Sequence, residues 1–123
     1  MIKRLHSTLM FSKDLAATAK FYEQCGFLVQ KADDSVRIIY GDFRLCFMDE
    51  AKTTIKANSK GETKGVGVFT YVEVDNVDDH YEVCKQNGLE HMTEPKDWPW
   101  GRREFVVKDP DGYRTVFFAP IKK

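Results

Sequence analysis

The segment Asp97–Phe118, with the sequence DWPWGRREFVVKDPDGYRTVFF, decides the fold of this chain. It contains two runs rich in β-branched and aromatic residues, at 104–108 and 113–119, on either side of a short polar segment. In that segment Pro110 fixes φ, and Gly112 can adopt the positive φ that tight turns often need. The pattern predicts a β-hairpin. Both tryptophans of the chain stand just before it.

Length and composition indicate one globular domain. The chain has 123 residues, of which 42% are hydrophobic and 13% aromatic, and this suits a single packed core. Lys and Arg total 19, as do Asp and Glu, so the zero net charge argues against a nucleic-acid partner and gives no support for a membrane partner. Three cysteines at unrelated spacings predict no disulfide framework. Because no secretory signal is visible at the N-terminus, the cytoplasm is the expected compartment.

The rest of the chain alternates between strand-like and helix-like patterns. Helices are predicted after two N-cap residues, Asp14 and Asn76, and each is followed by a glycine that can end it. Early in the second helix, His80 is predicted to be a solvated surface residue. Further strands are predicted at 3–11, 27–31, 36–40, 43–48, 66–74 and 89–92.

This order of elements occurs twice. A shift of 62 residues aligns Gly26 with Gly88, whereas further along a shift of 70 aligns Arg44 with Arg114. The difference, 70 − 62 = 8 residues, is an insertion in the second copy, between about Thr93 and Arg103. Such a repeat predicts an α+β domain built from two βαβββ modules.

The predicted domain covers residues 1–123, with module one at 1–50, a linker at 51–65 and module two at 66–123. The linker is polar and lacks apolar anchors, so we expect it to be mobile. Limited proteolysis is expected to cut it first, after Lys56, Lys60 or Lys64.

The repeat and two groups of residues resemble a known family. Those groups are Asp14-Leu15, Phe21-Tyr22 and Gly26-Phe27 in the first copy, and Trp100–Phe105 with Asp109–Tyr113 in the second. They are similar to the glyoxalase/bleomycin-resistance/extradiol-dioxygenase superfamily, the vicinal oxygen chelate fold, and most of all to its bleomycin-resistance-like branch. The resemblance implies two mixed-sheet half-barrels around a cleft, and it implies a homodimer.

In metal-dependent members of that superfamily, His, Glu or Gln side chains hold a divalent ion in the cleft. The matching positions here are Ser7, Cys46, Phe69 and Val116. Phe69 and Val116 have no donor atom, and a metal site needs three or four convergent donors. We therefore expect no metal and no other cofactor, and we expect no metal-dependent glyoxalase or dioxygenase activity.

Steps of two along each strand from those four positions give the side chains expected to line the cleft. They are mostly apolar or aromatic: Ser7, Leu9, Cys46, Met48, Phe69, Tyr71, Val116 and Phe118. The insertion is expected to add Trp98, Trp100, Arg102 and Glu104 at the mouth. Aromatic walls with few polar groups are typical of small-molecule pockets, although the same lining would also fill a barrel core.

The resulting hypothesis is metal-independent binding of a small, partly apolar or aromatic molecule, with antibiotic sequestration as one example. Two alternatives remain open: a lyase or isomerase of the same superfamily with an atypical site, and a dimer that binds no ligand. No catalytic residue is assigned. His6 has no identifiable carboxylate partner, and no base that could activate Cys46 is visible in the sequence.

Overall fold

The computed structural model describes residues 1–51 and 63–122, which form two four-stranded sheets with one helix each. The elements in chain order are β1 (Thr8–Ser12), α1 (Leu15–Gln24), β2 (Gln30–Lys31), β3 (Ser35–Tyr40), β4 (Phe43–Asp49), β5 (Phe69–Glu73), α2 (Val77–Gln86), β6 (Lys96–Trp98), β7 (Arg102–Lys108) and β8 (Arg114–Pro120). The strand orders are β1-β4-β3-β2 and β5-β8-β7-β6. In each sheet the first pair is parallel and the others are antiparallel. The α+β class and the order βαβββ in both halves are confirmed.

Both helices begin at the predicted N-cap residues. The Asp14 carboxylate accepts hydrogen bonds from the backbone N–H groups of Ala16 and Ala17, at 3.1 and 3.2 Å. The Asn76 side chain accepts one from the N–H of Asp79 at 3.0 Å. These bonds satisfy donors that a helix N-terminus otherwise leaves unpaired, and this is why short polar residues at these positions predicted the helix starts correctly.

The insertion forms a strand where the sequence predicted a loop. Its residues make up β6, in which Trp98 pairs with Arg102 and Lys96 pairs with Glu104. The predicted strand at 89–92 is wrong, because it is reduced to an isolated bridge between Met92 and Val107. That bridge corresponds to the pair Gln30–Arg37 of the first sheet, since 30 + 62 = 92 and 37 + 70 = 107. The extra residues therefore lengthen one hairpin beyond the repeated core.

Three predicted strands are shorter in the structure. The strand predicted at 3–11 begins only at Thr8, where pairing with Leu45 starts, and residues 3–7 are exposed. Only Gln30–Lys31 of 27–31 and Phe69–Glu73 of 66–74 belong to strands. In these three segments the apolar residues continue to alternate past the last residue that has a neighbouring strand to pair with.

The ends of the predicted linker are anchored, contrary to expectation. Lys64 Nζ lies 2.7 Å from Glu50 Oε2, and both side chains are buried. Cleavage after Lys64 is therefore no longer expected, whereas Lys56 and Lys60 lie outside the described residues. A single sequence could not show this pair, because Glu50 directly precedes the predicted linker and Lys64 lies at its other end.

The core consists of two clusters, one under each helix, and Phe21 and Phe27 of the first half pack against both. His80 lies beside the second cluster, with its ring 4.6 Å from that of Phe117. The prediction that His80 is a solvated surface residue is therefore wrong, because the first turn of α2 packs that face against the sheet. No helix in the described part of the chain is long and apolar enough to cross a membrane.

The β7–β8 turn joins the two halves. Gly112 has φ of +104°, as the turn prediction required. The Tyr113 hydroxyl donates to the Phe11 carbonyl at 3.1 Å, and the Tyr22 hydroxyl donates to Asp109 Oδ2 at 2.7 Å. The hairpin that decided the fold in the sequence thus also fixes how its sheet sits on the other half.

Candidate functional site

The second sheet has one face turned away from α2. Phe105, Val107 and Phe117 point towards the helix and form its core cluster. Along a strand, the side chain before or after one that points towards the helix must point to the opposite face of the sheet. They form what we call the aromatic face, and they comprise Phe69, Tyr71, Lys96, Trp98, Arg102, Glu104, Val116 and Phe118, with Trp100 from the β6–β7 turn.

The two indoles of this face stack on each other. The ring centroids of Trp98 and Trp100 are 4.8 Å apart, and the rings are 9° from parallel. Lys96, two residues before Trp98, places its Nζ 4.2 Å from the centroid of the Trp98 ring. Trp98 therefore lies between a cation and an indole. Trp100, which is 57% exposed, is the indole that the protein offers to solvent.

Glu104 holds this arrangement in place. Its Oε2 accepts a hydrogen bond from Trp100 Nε1 at 3.0 Å, and the residue is only 5% exposed. Within the described residues Glu104 forms no ion pair, although Lys96 is its cross-strand neighbour. A buried carboxylate that accepts an indole N–H fixes the ring plane of Trp100.

The two arginines of the insertion have different roles. The guanidinium carbon of Arg102 lies 4.3 Å from the centroid of the Phe118 ring, on the aromatic face. Arg103 points to the helix side, where it binds both carboxylate oxygens of Asp78, at 2.9 and 3.0 Å, and Asp97 at 3.0 Å. Of the two, Arg102 is therefore the one that can meet a ligand on this face.

The first sheet contributes less to this region than the sequence indicated. Leu9 is 39% exposed and, with Phe69 and Tyr71, lines a groove of about 610 Å³ between β1 and β5. Ser7 precedes β1 and is exposed, and Cys46 and Met48 do not line that groove. Strand alternation gave the face of the side chains that lie in strands, but within one chain the twelve residues are not brought together.

Comparison with known proteins identifies the family. The model of the Glyoxalase/Bleomycin resistance protein/Dioxygenase superfamily matches residues 4–117. The chain belongs to this superfamily. A bleomycin resistance protein from Geobacillus stearothermophilus is 27% identical over 120 residues, covering 89% of this chain and 91% of that protein.

Two solved structures have the same fold. A glyoxalase/bleomycin resistance protein/dioxygenase from Nocardioides has a TM-score of 0.76 at 22% identity, covering 99% of this chain and 87% of that one. A bleomycin-binding protein complexed with bleomycin has a TM-score of 0.67 at 19% identity, covering 99% and 100%. The resemblance seen in the sequence, including that to the bleomycin-resistance-like branch, is confirmed.

The superfamily includes metal-dependent members, but the matching residues here do not fit a divalent ion. Phe69 and Val116 carry no donor atom, Ser7 is an exposed residue outside the strand, and Cys46 supplies one thiol. No group of three His, Cys, Asp or Glu side chains converges anywhere in residues 1–51 and 63–122. A soft thiol with one hydroxyl is a poor donor set for the ions of this superfamily.

Proposed function

We propose that this protein binds a small, partly apolar or aromatic molecule on the aromatic face, without a metal. The observation that carries the proposal is the exposed indole of Trp100, backed by Trp98 and fixed by Glu104. A held indole loses little conformational freedom when a planar group stacks on it. Tyr71 and Phe118, whose rings are 5.9 Å apart, extend the apolar surface next to Arg102.

Antibiotic sequestration is the biological role that we propose for this binding. The support is the 27% identity to a bleomycin resistance protein and the shared fold with a bleomycin-binding protein. The face carries charges of both signs, so it does not select a ligand by net charge. Those charged residues are Lys96, Arg102 and Glu104.

Replacing Trp100 with alanine should weaken binding of bleomycin, the probe suggested by these relatives, by about 1–3 kcal/mol, as for other aromatic stacking contacts. The measurement is a titration followed by tryptophan fluorescence and checked by calorimetry. Trp100→Phe should retain most of the affinity, because it keeps an aromatic ring at this position. Leu28→Ala, at a residue 78% exposed and remote from this face, is the control and should bind like wild type. Equal affinity in Trp100→Ala and wild type would refute the site.

Purified protein should contain well below one equivalent of Ni, Zn, Mn or Fe. The expectation follows from the donor set at the four ligand-equivalent positions, which lacks convergent nitrogen and oxygen donors. Elemental analysis of protein prepared without chelator measures this directly. Treatment with a chelator should leave bleomycin affinity unchanged. One tightly held equivalent, whose removal abolishes binding, would contradict metal independence.

We also propose a homodimer. Val66, Val68, Phe69 and Tyr71 are 46–73% exposed and form a continuous apolar segment along β5 and the residues before it. Exposed apolar patches of this kind mark association surfaces. Light scattering should give twice the 14.2 kDa mass of the chain.

The dimer surface can be tested with one pair of variants. Val68→Asp should shift the protein towards monomer, because a charge in an apolar interface is left without solvation. Val83→Asp, at a residue 44% exposed on α2, is the matched control and should remain dimeric. A concentration-independent mass of 14.2 kDa for the wild type would rule out the homodimer.

A further inference from the structure

A second cavity lies between the two halves, on the helix-facing side of β5. It has a volume of about 420 Å³, within the range of small-molecule pockets. Its walls are mainly apolar and include Phe27, Ile38, Leu45, Val72 and Phe117, with His80 as a polar group. Val72 points away from the aromatic face, so most of this cavity is distinct from the site proposed above.

The repeat explains why there is space here. In the corresponding corner of the other half, Tyr22 packs on Phe47 at 4.9 Å and donates its hydroxyl to Asp109. Tyr113 packs on Phe47 from the hairpin, with ring centroids 6.2 Å apart. That corner is thus filled by two tyrosines and a carboxylate.

In the corner with the cavity, smaller or differently placed residues occupy the equivalent positions. The shift of 62 puts Cys84 where Tyr22 stands, and the shift of 70 puts Phe43 where Tyr113 stands. A thiol cannot fill the volume of a phenol ring. The Phe43 side chain is 57% exposed, so it forms part of the wall and does not plug the space.

His80 stands at the position that corresponds to Thr18 of the other half, where the Thr18 hydroxyl is hydrogen-bonded. Its equivalent, Thr18, bonds Ser12 Oγ at 2.7 Å, and the shift of 62 turns Ser12 into Val74. His80 therefore loses the polar neighbour that its counterpart has. Its Nε2 is buried, and no atom of the described residues forms a hydrogen bond with it.

The ring of His80 is held so that this nitrogen stays in place. Its ring packs on that of Phe117, with the centroids 4.6 Å apart and the planes at 43°, and a Cβ on Gly26 would lie 3.3 Å from its Cε1. Hydrogen bonding to Cys84, one helical turn on, raises the pKa of His80 despite partial burial. An unpaired buried imidazole nitrogen is costly unless an acceptor reaches it.

A second donor lines the same cavity. The Tyr40 hydroxyl accepts a hydrogen bond from the Leu28 N–H at 3.0 Å, which leaves its own proton free to donate. The carboxylate of Glu73 also lines the cavity, but Glu73 is exposed, so water and salt screen its charge. The polar side chains that line the cavity thus include two donors, His80 and Tyr40, and the hydroxyl of Thr70, which can donate as well.

We infer that this cavity binds a small apolar molecule that ends in a carboxylate. The carboxylate accepts a hydrogen bond from Nε2 of His80, and the apolar body lies between Ile38, Val72 and Phe117. A charge-assisted hydrogen bond gives orientation, and the apolar walls give most of the affinity. Nothing in this inference depends on the aromatic face or on the function proposed for it.

The test uses 2-naphthoate as the probe. The chain has three histidines, so histidine ring NMR signals report on the site individually. Titration of 2-naphthoate should shift the His80 signals and leave those of His6 and His91 in place. The cation 2-naphthylmethylamine, with the same rings, should bind at least about tenfold more weakly, because it cannot accept the hydrogen bond.

Two variants distinguish the cavity from non-specific binding. His80→Phe keeps an aromatic ring against Phe117 but removes the donor, so 2-naphthoate should bind about 10- to 100-fold more weakly. His91→Phe, at an exposed histidine outside this cavity, is the matched control and should bind like wild type. Val72→Phe should fill the cavity and abolish binding while leaving the His80 ring in place.

The inference is overturned if 2-naphthoate fails to shift the His80 signals. It is also overturned if His80→Phe and His91→Phe bind the probe equally, or if Val72→Phe binds like wild type. Stronger binding of the amine than of the carboxylate would likewise reject the assigned ligand class.

Discussion

Replacing Asp109 with alanine is expected to lower the free energy of unfolding by at least about 3 kcal/mol. Asp109 is 4% exposed, and its Oδ1 accepts hydrogen bonds from the backbone N–H groups of Asp111, Gly112 and Tyr113, each at 2.9 Å. Its Oδ2 accepts the hydroxyl of Tyr22. Alanine would leave the N–H groups of Asp111 and Tyr113 and the buried Tyr22 phenol without their acceptor, whereas the Gly112 N–H keeps the Asp109 carbonyl at 3.0 Å. It would also release the hairpin from the other half.

Urea unfolding followed by circular dichroism measures this loss. Asp42→Ala, at an exposed residue in the shorter turn between β3 and β4, is the matched control and should cost less than about 1 kcal/mol. Asp109→Asn should be milder than alanine, because its amide oxygen can still accept the turn N–H groups. Equal losses in Asp109→Ala and Asp42→Ala would show that the network does not stabilise the fold.

The Asp109 carboxyl also predicts that the free energy of unfolding depends on pH. Burial raises the pKa of Asp109 and outweighs the opposing effects of the hydrogen bonds from Tyr22 and the turn. The folded protein therefore holds this proton to a higher pH than the unfolded chain. The contribution of Asp109 to stability is complete below its unfolded pKa and declines as pH rises through its folded pKa. In Asp109→Asn this decline should be absent from unfolding curves measured between acid and neutral pH.

Replacing Gly65 with alanine is expected to cost about 3 kcal/mol or more, the sum of a strained backbone and an overpacked contact. Gly65 has φ of +81°, and an added Cβ would lie 2.7 Å from the Gly112 carbonyl carbon and 2.8 Å from Tyr113 Cα. Both neighbours are backbone atoms of the β7–β8 turn, so neither can move without disturbing the turn. The methyl group would push the hairpin away from the residues that lead into β5.

Gly67 provides a matched control for this substitution. Its φ of +82° is nearly the same, but no atom lies within 4 Å of its added Cβ. Gly67→Ala should therefore show the backbone penalty alone, about 1–2 kcal/mol. The difference in the free energy of unfolding between the two variants isolates the close approach to Gly112. If both variants unfold at the same urea concentration, the approach has no energetic role.

Local signals in the sequence were sufficient to predict the repeated architecture. Asp14 and Asn76 mark the helix starts because their side chains bond to backbone groups two or three residues away. Gly112 marks the hairpin turn for a similar reason, since its φ is a property of one residue. The position of the insertion also followed from the change in repeat spacing, although its conformation did not. Edge pairing of Lys96–Trp98 depends on a neighbour supplied by the lengthened β7.

The candidate site could be predicted only in part from the sequence. Alternation along β5 and β8 correctly put Tyr71 and Phe118 on one face, because successive side chains of a strand point to opposite sides. It could not show that Trp98 and Trp100 stack on each other, or that Arg103 turns back to Asp78. Those choices depend on which partner lies within reach, and the partner of Arg103 stands 25 residues away in the chain.

By itself the sequence determined two βαβββ units, their helix caps, the hairpin turn and the face of each strand residue, because all of these follow from local geometry and pairing periodicity. Only the tertiary structure decided which faces are open and which corners are filled. The packing of one half on the other depends on contacts such as Tyr22–Asp109 and Phe11–Tyr113, which join residues 87 and 102 positions apart. Such contacts left Trp100, Phe69 and Tyr71 of the aromatic face exposed, and two repeats with the same order of elements thus acquired different corners, one filled by tyrosines and one with a cavity beside His80.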